Sequence, residues 1–151
     1  MTTAHTVASR GGNHAFRTAT LRTRGSMRHG ALRTDAGDFE LEPTDRRRLG
    51  VVARAGGRPV VTLHPAGARV PGPGGDAVRW SLGRHSGALT RGDARIEVRA
   101  GWPGRPLRVE VTGDWAELDL VVLTACFAVL TRRRQRLLTA IAIAGATGGP
   151  H

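Results

Sequence analysis

Two short runs of arginine are the residues of this sequence best suited to bind a ligand. One run is Arg46–Arg48, and the other, Arg132–Arg136, is interrupted only by Gln135. Guanidinium groups bind phosphates and carboxylates through charge-assisted and often paired hydrogen bonds. The residues predicted to bind an anion are Arg46, Arg47, Arg48, Arg132, Arg133, Arg134 and Arg136.

The charge of the whole chain also favours an anionic partner. All 23 basic residues are arginine and only 12 residues are acidic, which gives a net charge of +11. Such an excess attracts phosphates and acidic surfaces, although part of the arginine content fits the codon usage of a GC-rich genome. The predicted partner is therefore an anionic lipid or another polyanion. Nucleic acid is the alternative, but the six aromatic residues offer few platforms for stacked bases.

Residues for other chemistry are few and poorly spaced. The six histidines show no short ligand spacing, and the single cysteine, Cys126, lies in an apolar segment. No serine lies in a nucleophile-elbow motif, and the adjacent His85 and Ser86 would point to opposite faces of a strand. Without lysine, the chain has neither a Schiff-base amine nor a Walker A contact. The sequence predicts no catalytic residue, metal, cofactor or small-molecule substrate, and it gives an enzyme no support.

Short stretches with apolar residues at alternate positions make up the chain from Phe16 to Gly113. Each stretch ends near Gly or Pro, which is typical of half-buried antiparallel strands joined by tight turns. The clearest cover residues 39–41, 61–63, 78–82, 96–98 and 107–111, and weaker ones cover 16–24, 27–33, 50–54 and 88–91. The pattern predicts a mainly β protein, a barrel or sandwich of eight to ten strands.

The N-terminal residues 1–14 lack this alternation and are predicted to form a disordered lead-in. Residues 15–147 are then a single domain, because the length suits one hydrophobic core. The first residues carry no apolar signal-peptide region, and neither end carries a lipidation motif. The expected location is the cytoplasm, with peripheral attachment to a membrane as a further option.

A helix is predicted over residues 115–145, because Asp114 and Glu117 have the spacing of a capping box. From Leu118 to Leu130 only Asp119 is charged, and the apolar residues cover every side of the helix. A helix of this kind must be surrounded by a bilayer, a partner or its own domain. The apolar part is shorter than the roughly 20 residues that a membrane span needs. We therefore predict that the strands enclose the helix, and the pattern leaves open whether residues 137–147 continue it.

The arginines after this apolar segment have two interpretations. Cations near the C-terminal end of a helix stabilise it by complementing its negative end. Alternatively, the helix carries Arg132, Arg133, Arg134 and Arg136 to the rim of the barrel, where they form an anion-binding patch.

A body of short hairpins followed by GDWAELDLVVLTACFAVL resembles the tubby-like C-terminal fold of tubby proteins, phospholipid scramblases and LURP-one-related proteins. The resemblance covers roughly Phe16 to Thr131, and it implies a closed barrel around a central helix that can hold lipid headgroups. No specific residue carries over, and the arginine run with its following apolar segment departs from the family. The predicted function is a small, non-enzymatic basic domain that binds anionic ligands such as phospholipid headgroups. A nucleic-acid-binding protein and an interaction module that uses the apolar helix are the alternatives.

Overall fold

The computed structural model describes residues 1–102 and 105–147 of the chain. The described residues form eleven strands followed by one long helix. The strands are β1 Thr2–Arg10, β2 Asn13–Phe16, β3 Ala19–Arg24, β4 His29–Thr34, β5 Gly37–Pro43, β6 Val51–Ala55, β7 Arg58–Leu63, β8 Arg79–Leu82, β9 Ser86–Arg91, β10 Ala94–Arg99 and β11 Leu107–Thr112, and the helix α1 is Leu118–Thr147.

All strands belong to one antiparallel sheet with the order β7-β6-β5-β4-β3-β2-β1-β11-β10-β9-β8. Most neighbours are hairpins, and the exception is β1, which pairs with β11 from Thr2 opposite Thr112 to Val7 opposite Leu107. The sheet curls into a nearly closed barrel whose two edges are β7 and β8. Residue Arg69, in the connection between these strands, exchanges two backbone hydrogen bonds with Thr62 and so covers part of the β7 edge.

Each of the nine predicted stretches overlaps a strand, and the prediction of a barrel that encloses the helix is confirmed. The stretch 16–24 is divided by a turn at residues 17–18, and the described residues form eleven strands instead of the predicted eight to ten. The prediction that residues 1–14 form a disordered lead-in is wrong, because β1 and the start of β2 occupy them. In β1 only Val7 is buried, so the sequence of this strand shows no alternation of apolar and polar residues that would predict it. Its order comes from backbone hydrogen bonds to β2 on one side and β11 on the other.

The first part of α1, Leu120–Thr131, is buried on every side. This part lies against β2 to β7, β9 and β10, so side chains of the helix fill the interior that the strands enclose. Glycines let the sheet approach it closely: a Cβ added at Gly30 would lie 3.1 Å from Leu21 and 3.2 Å from Phe127. The hydroxyl of Thr131 is satisfied by the backbone oxygen of Met27, 2.6 Å away.

Both ends of the helix differ from the sequence-based prediction. The capping box does not form, because Glu117 has a left-handed backbone (φ 49°) and α1 begins at Leu118. In the first turn, Asp119 instead forms an ion pair with Arg17 at 3.4 Å. At the other end α1 continues without interruption to Thr147, so residues 137–147 do extend it. The C-terminal residues 148–151 lie outside the described residues.

The direction of α1 gives the barrel two distinct ends. The entry end, where α1 begins, holds the turns at residues 17–18, 35–36, 56–57 and 92–93 and the loop at 71–78. The exit end, where α1 leaves the barrel, holds residues 11–12, 25–28, 44–50, 83–85, 100–102 and 105–106.

Candidate anion-binding surface

The two arginine runs predicted from the sequence meet at the exit end. Arg46, Arg47 and Arg48 lie in the loop between β5 and β6, next to the point where α1 leaves the barrel. The guanidinium of Arg132 donates to the backbone oxygen of Arg47 at 2.5 Å. The guanidinium of Arg48 donates to the hydroxyl of Thr131 at 3.0 Å. Residues 83 positions apart in the chain therefore form one surface.

Arg48 is a structural member of this surface, since only 6% of it is exposed. Its guanidinium also donates to the backbone oxygen of Ser26 at 2.8 Å, and so connects the β3–β4 turn to the helix. Burial, followed by the positive charges of Arg28 and Arg134, lowers the pKa of Arg48 below its ordinary value. Because Arg48 is buried and its Nη1 donates inside the protein, we assign it to the fold and not to the ligand-facing arginines.

Arg132 and Arg133 are half-buried and hold the helix to the rim. Arg133 donates to the backbone oxygen of Gly101, between β10 and β11, at 2.6 Å. Arg132 contacts a different part of the rim, the β5–β6 loop. Burial lowers the pKa of both guanidinium groups, and for Arg132 the charge of Arg136 adds to this effect while Asp45 opposes it. The interpretation that these arginines complement the end of the helix is wrong, because α1 continues beyond them and its last turn holds no basic residue.

Six of the solvent-exposed arginines at the exit end surround the emerging helix, and we call them the arginine collar; Arg105, which precedes β11, is also exposed but is not counted in it. Four members, Arg46, Arg47, Arg134 and Arg136, were predicted from the sequence. Arg28 in the β3–β4 turn and Arg84 in the β8–β9 turn were not, because each is isolated in the chain and only the barrel brings it to this end. None of these six guanidinium groups has a hydrogen bond or ion pair with a described residue.

The two ends of the barrel differ in charge. In its turns, loops and helix residues, the described part of the exit end contains a single acid, Asp45, whose carboxylate accepts a 2.9 Å hydrogen bond from the amide of Leu49. Its arginines are Arg28, Arg46, Arg47, Arg48, Arg84, Arg105, Arg132, Arg133, Arg134 and Arg136. The turns, loops and helix start of the entry end contain Arg17, Asp35, Asp76, Asp93, Asp114, Glu117 and Asp119, and the strand ends beside them add Arg58, Arg79 and Arg91. The exit end is therefore strongly positive, whereas acids and arginines largely offset each other at the entry end, an asymmetry that orients the protein in an external field.

Beyond the collar, α1 projects from the barrel with apolar side chains exposed. We call residues 137–144 the helix extension. Its large exposed apolar side chains are Leu137 (51% exposed), Leu138 (38%), Ile141 (59%) and Ile143 (59%). Beside it lies Trp102, of which 80% is exposed. Contiguous exposed apolar groups of this kind mark an interaction surface.

Two grooves run between the helix extension and the rim of the barrel. One, of about 640 Å³, is lined by Arg84, Trp102, Arg136 and Leu137. The other, of about 810 Å³, is lined by Arg28, Arg46, Leu138 and Ala142. The second groove also contains the acids Glu42 and Asp45 at the barrel and the polar side chains of Gln135 and Thr139 on the helix. The first groove is basic at the barrel and apolar along the helix. This arrangement suits a ligand that has an anionic head and an apolar tail.

The described residues offer little for other kinds of site. They contain no group of three His, Cys, Asp or Glu side chains that could hold a metal ion, and His151 lies outside them. Among the residues that the structure describes, the one hydrogen bond between a serine and a histidine side chain joins the Ser9 hydroxyl and Nδ1 of His14 at 2.7 Å. His14 is buried in the barrel wall, and this burial lowers its pKa. No helix in the described part of the chain is long and apolar enough to cross a bilayer.

Comparison of the chain with protein-family models, with curated proteins and with solved structures finds no match. The resemblance to the tubby-like fold therefore stays a prediction, which rests on the architecture of a barrel around a helix.

Proposed function

We propose that this protein binds anionic phospholipid surfaces through the arginine collar. The observation that carries the proposal is the set of six solvent-open arginines, without partners among the described residues, around an exposed apolar helix. Phosphates of lipid headgroups would supply the acceptors that these guanidinium groups lack. The entry end, where arginines largely offset the acidic residues, would be attracted much less by the same surface, so charge would turn the exit end toward the membrane.

The mutual proximity of the arginines supports a binding role. Burial is the main cause that lowers the pKa of Arg48, and the positive charges of Arg28 and Arg134 lower it further, so these like charges lie close enough to repel. Such repulsion costs folding stability, and an anion bound between the arginines would remove it. A basic residue near an anionic membrane contributes about 1 kcal/mol to binding, so a six-arginine collar is sufficient for peripheral attachment.

Nucleic acid is a weaker candidate for the same surface. Single strands are usually held by aromatic side chains on which bases stack. Phe16, Phe39, Phe127 and Trp80 are buried in the core, and Trp115 lies under the guanidinium of Arg91 at the entry end. Trp102 is the one described aromatic residue exposed at the exit end. The exposed leucine and isoleucine side chains beside it match a lipid far better than a polynucleotide.

Flotation with lipid vesicles tests the proposal. We expect the protein to bind vesicles of phosphatidylglycerol and phosphatidylcholine, but not vesicles of phosphatidylcholine alone, and to be released as salt rises to about 0.5 M. The double variant Arg134→Glu/Arg136→Glu should bind at least about tenfold more weakly, because two attractive charges become repulsive. Arg132 and Arg133 are left intact because they hold the helix to the rim.

The matched control is Arg58→Glu/Arg79→Glu, which changes the net charge equally at the first residues of β7 and β8, far from the collar. It should retain nearly all of the binding. Equal losses in both double variants would show that only net charge matters and would refute a collar site. Indifference to lipid charge, together with retention on DNA or RNA at about 0.15 M salt, would support the nucleic-acid alternative instead.

A further inference from the structure

We infer that the helix extension inserts into the hydrocarbon of a single leaflet, with its axis steep to the membrane and the arginine collar at the level of the lipid phosphates. This inference rests on the proposed function, and it adds a mode of attachment, a depth and an orientation. It concerns the apolar side chains beyond the collar, which electrostatic adsorption alone would leave in water.

The distribution of side chains around the helix extension excludes a helix that lies flat on the surface. A flat interfacial helix needs one apolar and one polar face. At about 100° per residue, Leu137, Leu138 and Ile141 lie on one side of the helix, Ile143 lies on another, and alanines rather than charged residues occupy most of the remaining positions. The one polar side chain, Thr139, receives a 2.9 Å hydrogen bond on its hydroxyl from the Gln135 side chain. With no polar face to keep in water, the extension is suited to being surrounded by lipid.

The length of the projecting helix matches one leaflet. The backbone from Leu137 to Thr147 is helical, and at 1.5 Å per residue it reaches about 16 Å beyond the collar. Half of a typical hydrocarbon core is about 15 Å thick. With the collar at the phosphates, about 5 Å outside the hydrocarbon, the helix would therefore end within the same leaflet, short of the middle of the bilayer. The barrel fixes this direction, because residues 120–131 of the same helix are held inside it.

The charges around the extension favour a lipid surface over a second copy of the chain. Two copies joined through their extensions would bring two arginine collars toward each other, and juxtaposed like charges oppose association. An anionic leaflet places opposite charge at the same level. Trp102 lies beside Leu137 and Arg136 in the same groove. Tryptophan favours the boundary between headgroups and acyl chains, so its exposure there is consistent with this position.

Depth can be measured with a fluorophore attached at Ile141→Cys in the full chain. The native Cys126 is fully buried, and burial raises the pKa of its thiol, so it should remain unlabelled. In vesicles of phosphatidylglycerol and phosphatidylcholine, we expect nitroxides deep in the acyl chain to quench this label more than nitroxides at the headgroup. The matched control, Ala36→Cys, lies in the exposed β4–β5 turn at the entry end and should show no quenching.

A charge placed in the extension provides the second test. Ile141→Asp should weaken binding to the same vesicles by about tenfold or more, because an acidic side chain enters hydrocarbon at high cost. Ala36→Asp makes the same change in charge at the entry end and should have little effect. Since both positions are exposed, neither variant should unfold the protein.

The outcomes separate this inference from the proposed function. Vesicle binding without acyl-chain quenching, or quenching by headgroup nitroxides alone, would overturn insertion and leave the collar as a surface site. Absence of binding to anionic vesicles would overturn both. Equal insertion into neutral vesicles would support the extension as an anchor and refute the collar as the source of lipid selectivity. Dimers that form through Ile141 in the absence of lipid would assign the extension to a second copy and would also overturn insertion.

Discussion

The two halves of helix α1 are almost equally apolar, but they lie in opposite environments. Residues Leu120–Thr131 are surrounded by strands, and every side chain is buried. Residues 137–144 project beyond the rim, and their leucine and isoleucine side chains are exposed. Between the halves stand the arginines that hold the helix to the barrel and those that face solvent. The same helix therefore runs from the protein interior, past the arginine collar, to a segment whose apolar side chains are exposed to water.

This difference shows that folding explains the apolar side chains of the inner half of α1 only. Its side chains fill the barrel, and without them the sheet would enclose a void. The outer half adds nothing to that core, while it presents apolar area to solvent. Apolar residues at positions that folding does not require indicate an external partner. Under the proposed function, the arginine collar would face an anionic surface of that partner.

The largest expected contrast between the halves is in stability. Phe127→Ala should lower the free energy of unfolding by about 3–5 kcal/mol, because it removes a fully buried ring from the centre of the barrel. Ile141→Ala should change it by no more than about 0.5 kcal/mol, since that side chain lies outside the core. Urea unfolding of both variants measures the contrast. Similar losses in the two variants would mean that the outer half belongs to the folded core.

The smallest expected effect concerns the collar and has the opposite sign. Arg134→Gln should raise the free energy of unfolding by no more than about 0.5 kcal/mol at low salt, because it removes a positive charge close to Arg48. The gain should disappear in about 0.5 M salt, and the same variant should bind anionic vesicles more weakly. Urea unfolding at two salt concentrations and flotation provide the measurements. A loss of stability would show that Arg134 supports the fold, against its assignment to a binding surface.

The sequence predicts most of the barrel because burial leaves a period of two wherever one face of a strand lines the core. Strands β10 and β11 show it clearly, with Ile96, Val98, Val109 and Val111 inward. It fails at β1, where Val7 alone is buried and polar residues occupy most other positions. Pairing with β2 and β11 makes this segment a strand, and such hydrogen bonding between distant residues leaves no local pattern.

The candidate site is predictable only where its residues are neighbours in the chain. The runs that contain Arg47 and Arg134 stand out in the sequence, whereas Arg28 and Arg84 reach the collar through separate turns. The sequence also cannot separate the roles within a run. Arg48 is buried and structural although Arg46 and Arg47 beside it are exposed. Its backbone has a positive φ of 54°, a conformation set by the folded loop that the sequence does not reveal.

Hydrogen exchange of the backbone amides of α1, measured with and without vesicles, tests the central claim most directly. In buffer, amides of residues 120–131 should be strongly protected and those of residues 137–147 should exchange quickly. Vesicles of phosphatidylglycerol and phosphatidylcholine should protect the outer half while leaving the inner half unchanged, and phosphatidylcholine alone should not. Protection of the outer half in buffer without lipid, or rapid exchange there in the presence of bound anionic vesicles, would contradict the account.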